Sequence, residues 1–206
     1  MKVLLINGSP NAEGCTYTAL MEVASALDRN GIETELFHIG TKPVRGCTGC
    51  KECRKIKRCV HGDDVCNEMA AKITVSDGIV IGSPVYYSGP NGALCALLDR
   101  VFSSSAAYFK HKPAACVVSC RRGGASAAFD RLNKYFTISQ MPLVSSQYWN
   151  AVHGNSPDDV RRDQEGLQIM RTLGNNMAWL LMSMEKGAPP PQPEKERLIT
   201  NFHDGK

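Results

Sequence analysis

Short apolar runs alternating with amphipathic helical segments predict an α/β protein with a doubly wound, five-stranded parallel sheet in the order 2-1-3-4-5. Two observations carry this. The apolar runs lack polar alternation, as strands buried on both faces do. The segments between them carry helices of ten or more residues, enough to cross over and return a strand in parallel.

The elements follow in order. Lys2 to Asn7 is the first strand. Thr16 to Arg29 places Leu20, Val23, Ala24 and Leu27 on one helical face, and Gly31 ends it. Thr34 to Ile39 reads as the second strand, and Asp63 or Asp64 caps a helix reaching about Val75. Gly78 to Gly82 is the third strand, Asn91 to Ser103 a helix, Ala114 to Ser119 the fourth strand and Ser126 to Thr137 a helix. Pro142 to Ser146 reads as a short fifth strand, and Gln164 to Lys186 as a long helix. One domain thus spans 1–187, with a cysteine-rich loop at 43–62. A Pro-rich tail at 188–206 follows, either extended in solvent or packed on a neighbouring subunit.

Composition narrows the class. Of the 206 residues 43% are hydrophobic and 21% charged, a globular profile with enough chain for a core without disulfides. The net charge of +4 is mild, and basic residues cluster only at Lys51 to Arg58. No nucleic-acid stripe is expected from that. The cluster reads as a solvated loop or, less directly, as an attractor of anionic nucleotides. The amino-terminal apolar run is too short for a signal core or a membrane span, so the expectation is a cytoplasmic protein without a membrane anchor. Its nine cysteines are then expected to be ligands, redox groups or core fillers, not structural disulfides.

Ligands of such sheets bind at the carboxyl ends of the strands, where three loops stand out. The first runs from Gly8 to Thr16, with Ser9, Asn11, Gly14, Cys15 and Thr16 as candidate contacts. Small and hydroxyl residues before a helix start suit an anion. The spacing is neither a Walker A nor a G-x-G-x-x-G loop, and the missing lysine suits the single phosphate of a mononucleotide. An ordinary turn with Thr16 as a cap is the alternative. The second loop, Gly82 to Pro90, offers Pro84, Val85, Tyr86 and Tyr87, rings and amides that suit a flat isoalloxazine. The third, Cys120 to Ala125, offers Gly123 and Gly124 for close backbone approach and Arg122 as a cation.

The sharpest single pattern is Cys47-x2-Cys50-x2-Cys53-x5-Cys59. Four thiolates within thirteen positions can converge on one centre, with iron–sulfur-like spacing. A zinc site and a set of metal-free thiols are the alternatives. Cys95 and Cys116 lie in apolar stretches and read as core, and Cys15 as a phosphate-loop residue. The histidines form no ligand pair, and Asp99 with Arg100 reads as a structural polar contact.

Together these residues resemble the NAD(P)H-dependent FMN reductase branch of the flavodoxin-like flavoproteins, and within it the iron–sulfur flavoproteins. Gly8-Ser9-Pro10 through Thr16 resembles the phosphate loop, and Ser83 to Tyr87 with Leu97 to Phe102 the isoalloxazine loop and helix. Arg121-Arg122-Gly123-Gly124 resembles the third loop. Ser146 to Asn150, His153-Gly154 and Thr200-Asn201-Phe202 resemble downstream segments of relatives. Asn11, Ala12 and Cys15 depart from the usual pattern.

The resemblance implies bound FMN, NAD(P)H as co-substrate, and a [4Fe–4S] cluster on Cys47, Cys50, Cys53 and Cys59. It also implies a ferredoxin-like or small-molecule electron acceptor and a homodimer or homotetramer. No catalytic acid or nucleophile is required, because the flavin carries the chemistry. An electron carrier with little NAD(P)H activity and a cysteine-loop redox or metal sensor are the competing functions.

Overall fold

The computed structural model describes residues 1–192 and Leu198. Strand β1 (Lys2–Asn7) lies between β2 (Glu33–His38) and β3 (Gly78–Tyr86), and both pairings are parallel. β3 pairs in parallel with β5 (Ala114–Cys120), and β5 with β6 (Ala151–His153). A two-residue arm, β4 (Gly89–Pro90), folds back antiparallel on the end of β3. The order β2-β1-β3-β5-β6 is therefore the expected 2-1-3-4-5 once that arm is set aside.

Alternate residues of each strand feed two cores, as period-two geometry requires. Leu4, Ile6, Ile79, Ile81, Cys116 and Val118 face one side. There they meet α3 (Cys66–Val75), α4 (Gly92–Ser105) and α5 (Ala125–Ile138). Val3, Leu5, Val80, Ala115, Val117 and Val152 face the other side, under α1 (Cys15–Arg29) and α7 (Gln164–Lys186). α1 and α7 touch closely at Gly174, where a Cβ would lie 2.6 Å from Ala26 Cβ and 2.8 Å from the Val23 carbonyl.

The fifth strand is a correction. Pro142–Ser146 meets β5 only at a Leu143–Ala114 bridge, with Ala114 N donating to Pro142 O and Val144 N to Ala114 O, each at 2.9 Å. The chain then loops away, because Ser146 Oγ sits 2.7 Å from both Tyr148 O and Asn150 Oδ1 and closes a turn. It returns as β6, beside Val118–Cys120. Two short helices are not among the expected elements: α2 (Cys53–Ile56) and α6 (Pro157–Arg162). α6 starts on a reciprocal cap, Asp159 N to Ser156 Oγ at 3.2 Å and Ser156 N to Asp159 Oδ2 at 3.0 Å. Among the described residues no helix is long and apolar enough to cross a membrane. Residues 188–192 are exposed and belong to no helix or strand; Thr200 to Phe202 lie outside the described residues.

Candidate flavin site and cysteine cavity

The first loop is fixed by inward bonds to its own carbonyls. Asn7, fully buried at the end of β1, donates from Nδ2 to Ala12 O at 3.0 Å and accepts Ser9 N on Oδ1 at 3.0 Å. Asn91 Nδ2 donates to Gly8 O at 2.7 Å, and His38 Nε2 lies 2.8 Å from Ser9 O. Ser9 Oγ accepts Asn11 N at 3.1 Å. With these carbonyls occupied, the loop presents donors. α1 starts at Gly14 with no side-chain cap, so its first-turn N–H groups remain for an anion.

Ser9 is buried, Asn11 is exposed, and Gly14 and Cys15 are half-buried in this loop. Cys15 Sγ points to Gly154 O at 3.8 Å, and burial pushes its thiol pKa up. Thr16 departs from expectation. It is neither the cap, which is Gly14, nor open to the loop: it is 1% exposed. Its hydroxyl bonds Ser119 Oγ at 2.8 Å, joining α1 to the end of β5. Only its backbone N–H is left for the duty that the sequence suggests for its side chain.

The second loop is a hairpin, not an irregular loop. β3 continues through Gly82, Ser83, Pro84 and Val85 to Tyr86, which pairs with Gly89. Tyr87 and Ser88 form the turn with φ of 50° and 60°. Such a two-residue turn favours Asn-Gly, and a tyrosine and a serine there hold strain of the kind found at ligand sites. Tyr87 is fully exposed and Tyr86 is 45% exposed, so both rings are available for stacking.

The third loop closes on that hairpin. Gly124 has φ 89°, and a Cβ there would lie 2.8 Å from Ser88 Cα. Arg122 and Gly123 are exposed beside it. The three loops are thus bonded or packed pairwise: Asn91 links the first and second, Ser88–Gly124 the second and third, and Thr16–Ser119 the first and third. Against the third loop lies a cavity of about 310 Å³ lined by Arg122, Gly123, Gly124, Tyr148, Trp149 and His153. The Tyr148 and Trp149 rings are 5.0 Å apart and form its aromatic wall. Asn7, Asn91 and Ser119 are not among the residues singled out by the sequence. A polar residue closing an apolar strand, as Asn7 does, is the one usable signal.

The four spaced cysteines border one small cavity. Cys47, Cys50, Cys53 and Cys59 line one cavity of about 30 Å³, together with His61 and Arg100. Cys47 and Cys50 are exposed, Cys53 is half-buried and Cys59 is buried; all are free thiols. Cys53 Sγ donates to Ser103 O at 3.7 Å, and Cys59 Sγ accepts Arg100 Nε–H at 3.2 Å. Asn67 clasps Cys59 by accepting its N–H and donating to its carbonyl, both at 3.0 Å. Among the described residues no three His, Cys, Asp or Glu groups are close enough to hold a single metal ion. Four cysteines lining one cavity are the donor set that a four-iron cluster or a zinc ion would use.

Asp99 and Arg100 do not pair with each other. Asp99 accepts from the Tyr135 hydroxyl and Arg131, whereas Arg100 pairs with Asp64. Burial opposes both charges of the Asp64–Arg100 pair. Their mutual bond outweighs it, lowering the Asp64 pKa and raising that of Arg100. Cys66 and Cys116 are core thiols; burial pushes Cys66 up to about 12 and Cys116 higher still. Cys95 is only half-buried, and so is not the core residue expected.

A parallel sheet in this order, with three interlocked loops at its carboxyl edge, defines a flavodoxin-like flavoprotein. The chain belongs to the NADPH-dependent FMN reductase family, whose sequence pattern matches residues 1–156. It is an FMN-dependent oxidoreductase by that membership. It is 32% identical over 194 residues to an iron-sulfur flavoprotein of Methanocaldococcus jannaschii, covering 90% of this chain and 100% of that one. Among solved structures it resembles a NAD(P)H:quinone oxidoreductase from Methanothermobacter marburgensis, with TM-score 0.66 and 16% identity, over 86% of this chain and 96% of that one. A flavodoxin from the domain Archaea matches at TM-score 0.61 and 12% identity, over 88% and 99% of the two chains. At such identities the likeness concerns the fold.

Proposed function

We propose that the protein takes electrons from NAD(P)H onto bound FMN and delivers them, through a [4Fe–4S] cluster on Cys47, Cys50, Cys53 and Cys59, to an acceptor. The observation that carries this reading is that all four spaced cysteines line one cavity beside α4. The amino end of that same helix is tied to two flavin loops through Asn91. Asn91 and Arg100 are nine residues apart, about 14 Å of helical rise. One rigid element thus spans the flavin end and the cysteine cavity.

Bound FMN accepts a hydride and can release electrons one at a time. The chain's own residues bind and orient. The first-turn N–H groups of α1 and the loop Ser9 to Cys15 would hold the phosphate. Pro84, Val85, Tyr86 and Tyr87 would hold the ring system from the second loop, and Arg122, Gly123 and Gly124 from the third. The Tyr148–Trp149 wall beside Arg122 is the entry for the nicotinamide ring. The exposed Arg122 supplies positive charge for an anionic ring edge or a nucleotide phosphate. No side chain need move a proton. The iron-sulfur flavoprotein relatives support the cluster assignment by their names.

The cytoplasm as location, a ferredoxin-like or small-molecule acceptor, and a homodimer or homotetramer complete the proposal. Anaerobic mixing of the FMN-loaded protein with NADPH, and separately NADH, tests it. Flavin absorbance is expected to bleach with one or both. If dithionite bleaches the flavin and neither nucleotide does, the protein is an electron carrier instead.

A further inference from the structure

Arg100 is 2% exposed, although arginine is almost never buried unless it is paired. Among the described residues every polar partner of its guanidinium lies in one segment of chain, 45–64. Nη1 donates to Arg45 O at 3.1 Å and to Asp64, Nη2 donates to His61 O at 2.8 Å, and Nε donates to Cys59 Sγ at 3.2 Å. Arg45 precedes the first cysteine of the run, and His61 follows the last. Asp64 reinforces the clamp by accepting Arg45 N on Oδ2 at 3.2 Å and Cys66 N on Oδ1 at 3.1 Å. The planar fork of arginine can make these bonds at once, where a lysine ammonium cannot. Among the described residues the guanidinium therefore serves the cysteine loop and bonds no other part of the fold.

We propose that Arg100 is a positioning residue for the cluster: it fixes Cys59 through its Nε–H···S bond and, together with Asp64, sets the cluster's reduction potential. The inference rests on the cluster reading above. A hydrogen bond to a ligand sulfur, or a positive charge beside it, stabilises the more negative, reduced cluster and raises its potential. The Asp64 carboxylate acts in the opposite sense. The two residues form one ion pair yet push the potential in opposite directions. A purely structural clamp has no such signature.

The test uses anaerobically purified, FMN-loaded protein: wild type, Arg100→Gln, Arg100→Lys and Asp64→Asn. Iron and sulfide are measured first, and the cluster potential of the loaded fraction is then titrated, with the flavin potential as control. Arg100→Gln is expected to lower the cluster potential. Arg100→Lys keeps the charge but loses the fork, and falls between Arg100→Gln and wild type. Asp64→Asn keeps an acceptor for Arg100 without the charge, and is expected to raise the potential. The flavin potential stays unchanged throughout. If Arg100→Gln does not load, the opposed shifts of Arg100→Lys and Asp64→Asn decide. Unshifted cluster potentials, or Arg100 and Asp64 variants moving in the same direction, overturn the proposal. Iron-free wild type overturns the cluster reading itself, a distinguishable result.

Discussion

The flavin loops and the cysteine loop are held in contrasting ways. Three flavin loops sit where strands end and helices begin, and each is tied to the other two through Asn91, Ser88–Gly124 and Thr16–Ser119. The segment 43–62 carries only the short helix α2, and its ends are gathered mainly by the buried Arg100, which pairs with Asp64, with Asn67 clasping Cys59. The first arrangement spreads its support over many modest bonds. The second concentrates it. A single substitution should therefore damage the cysteine loop more than the flavin site.

The largest expected effect follows from that. In Asp64→Ala the Arg100 charge is left buried without its partner, a loss of about 3–5 kcal/mol. Urea unfolding of variant and wild type, compared at neutral pH, measures it. The pH dependence has a defined sign. The folded Asp64 pKa is depressed, burial opposing and the Arg100 bond outweighing it. Its stabilisation is thus complete above the ordinary aspartate range, about pH 4, and is lost as pH falls through the lower folded value. Asp64→Ala should flatten that acid limb. A full-sized limb in the variant would assign it to other carboxylates.

Next in size is Gly124→Ala, which sharpens the contrast from the other side. Its φ of 89° and the 2.8 Å approach to Ser88 Cα disfavour any Cβ. A loss of about 1–3 kcal/mol is expected. Calorimetry of FMN binding should show weakened affinity, while iron content stays at the wild-type level. Loss of iron in parallel with FMN would mean that the two regions are not independently supported.

How far the sequence reveals each region follows from the range of its contacts. Cys47, Cys50, Cys53 and Cys59 are neighbours in the chain, so their convergence is readable from spacing. Arg100 and Asp64 stand 36 residues apart and no periodicity links them. Long periodic elements are read well: α7 has the bounds expected from its apolar stripe, Gln164–Lys186. The fifth strand is misread because Pro142–Ser146 carries the apolar signal, whereas Ala151–His153 is too short to carry one. Thr16 looks like a helix cap and phosphate ligand in the sequence because it follows the small-residue loop where a helix begins. Its hydroxyl turns inward because Ser119, on a strand distant in sequence, offers a buried partner.

Thr16→Val gives the smallest effect and tests that last point. Losing the bond to Ser119 is expected to cost about 1 kcal/mol of stability. FMN affinity should fall by less than about tenfold, since a direct hydroxyl–phosphate bond would cost about 1.5–3 kcal/mol. A hundredfold loss of FMN affinity with unchanged stability would return the hydroxyl to the phosphate.

The proposal to be tested is that one chain holds two redox groups, each loop set anchored by its own local contacts, with α4 running between them. Anaerobic protein should be assayed for FMN and iron in the same sample, in wild type and in Cys50→Ser. The account predicts about one FMN per chain in both, with about four iron atoms per chain in wild type, one [4Fe–4S] cluster, and few in the variant. Wild-type protein without iron, or a variant that loses FMN together with its iron, would contradict it.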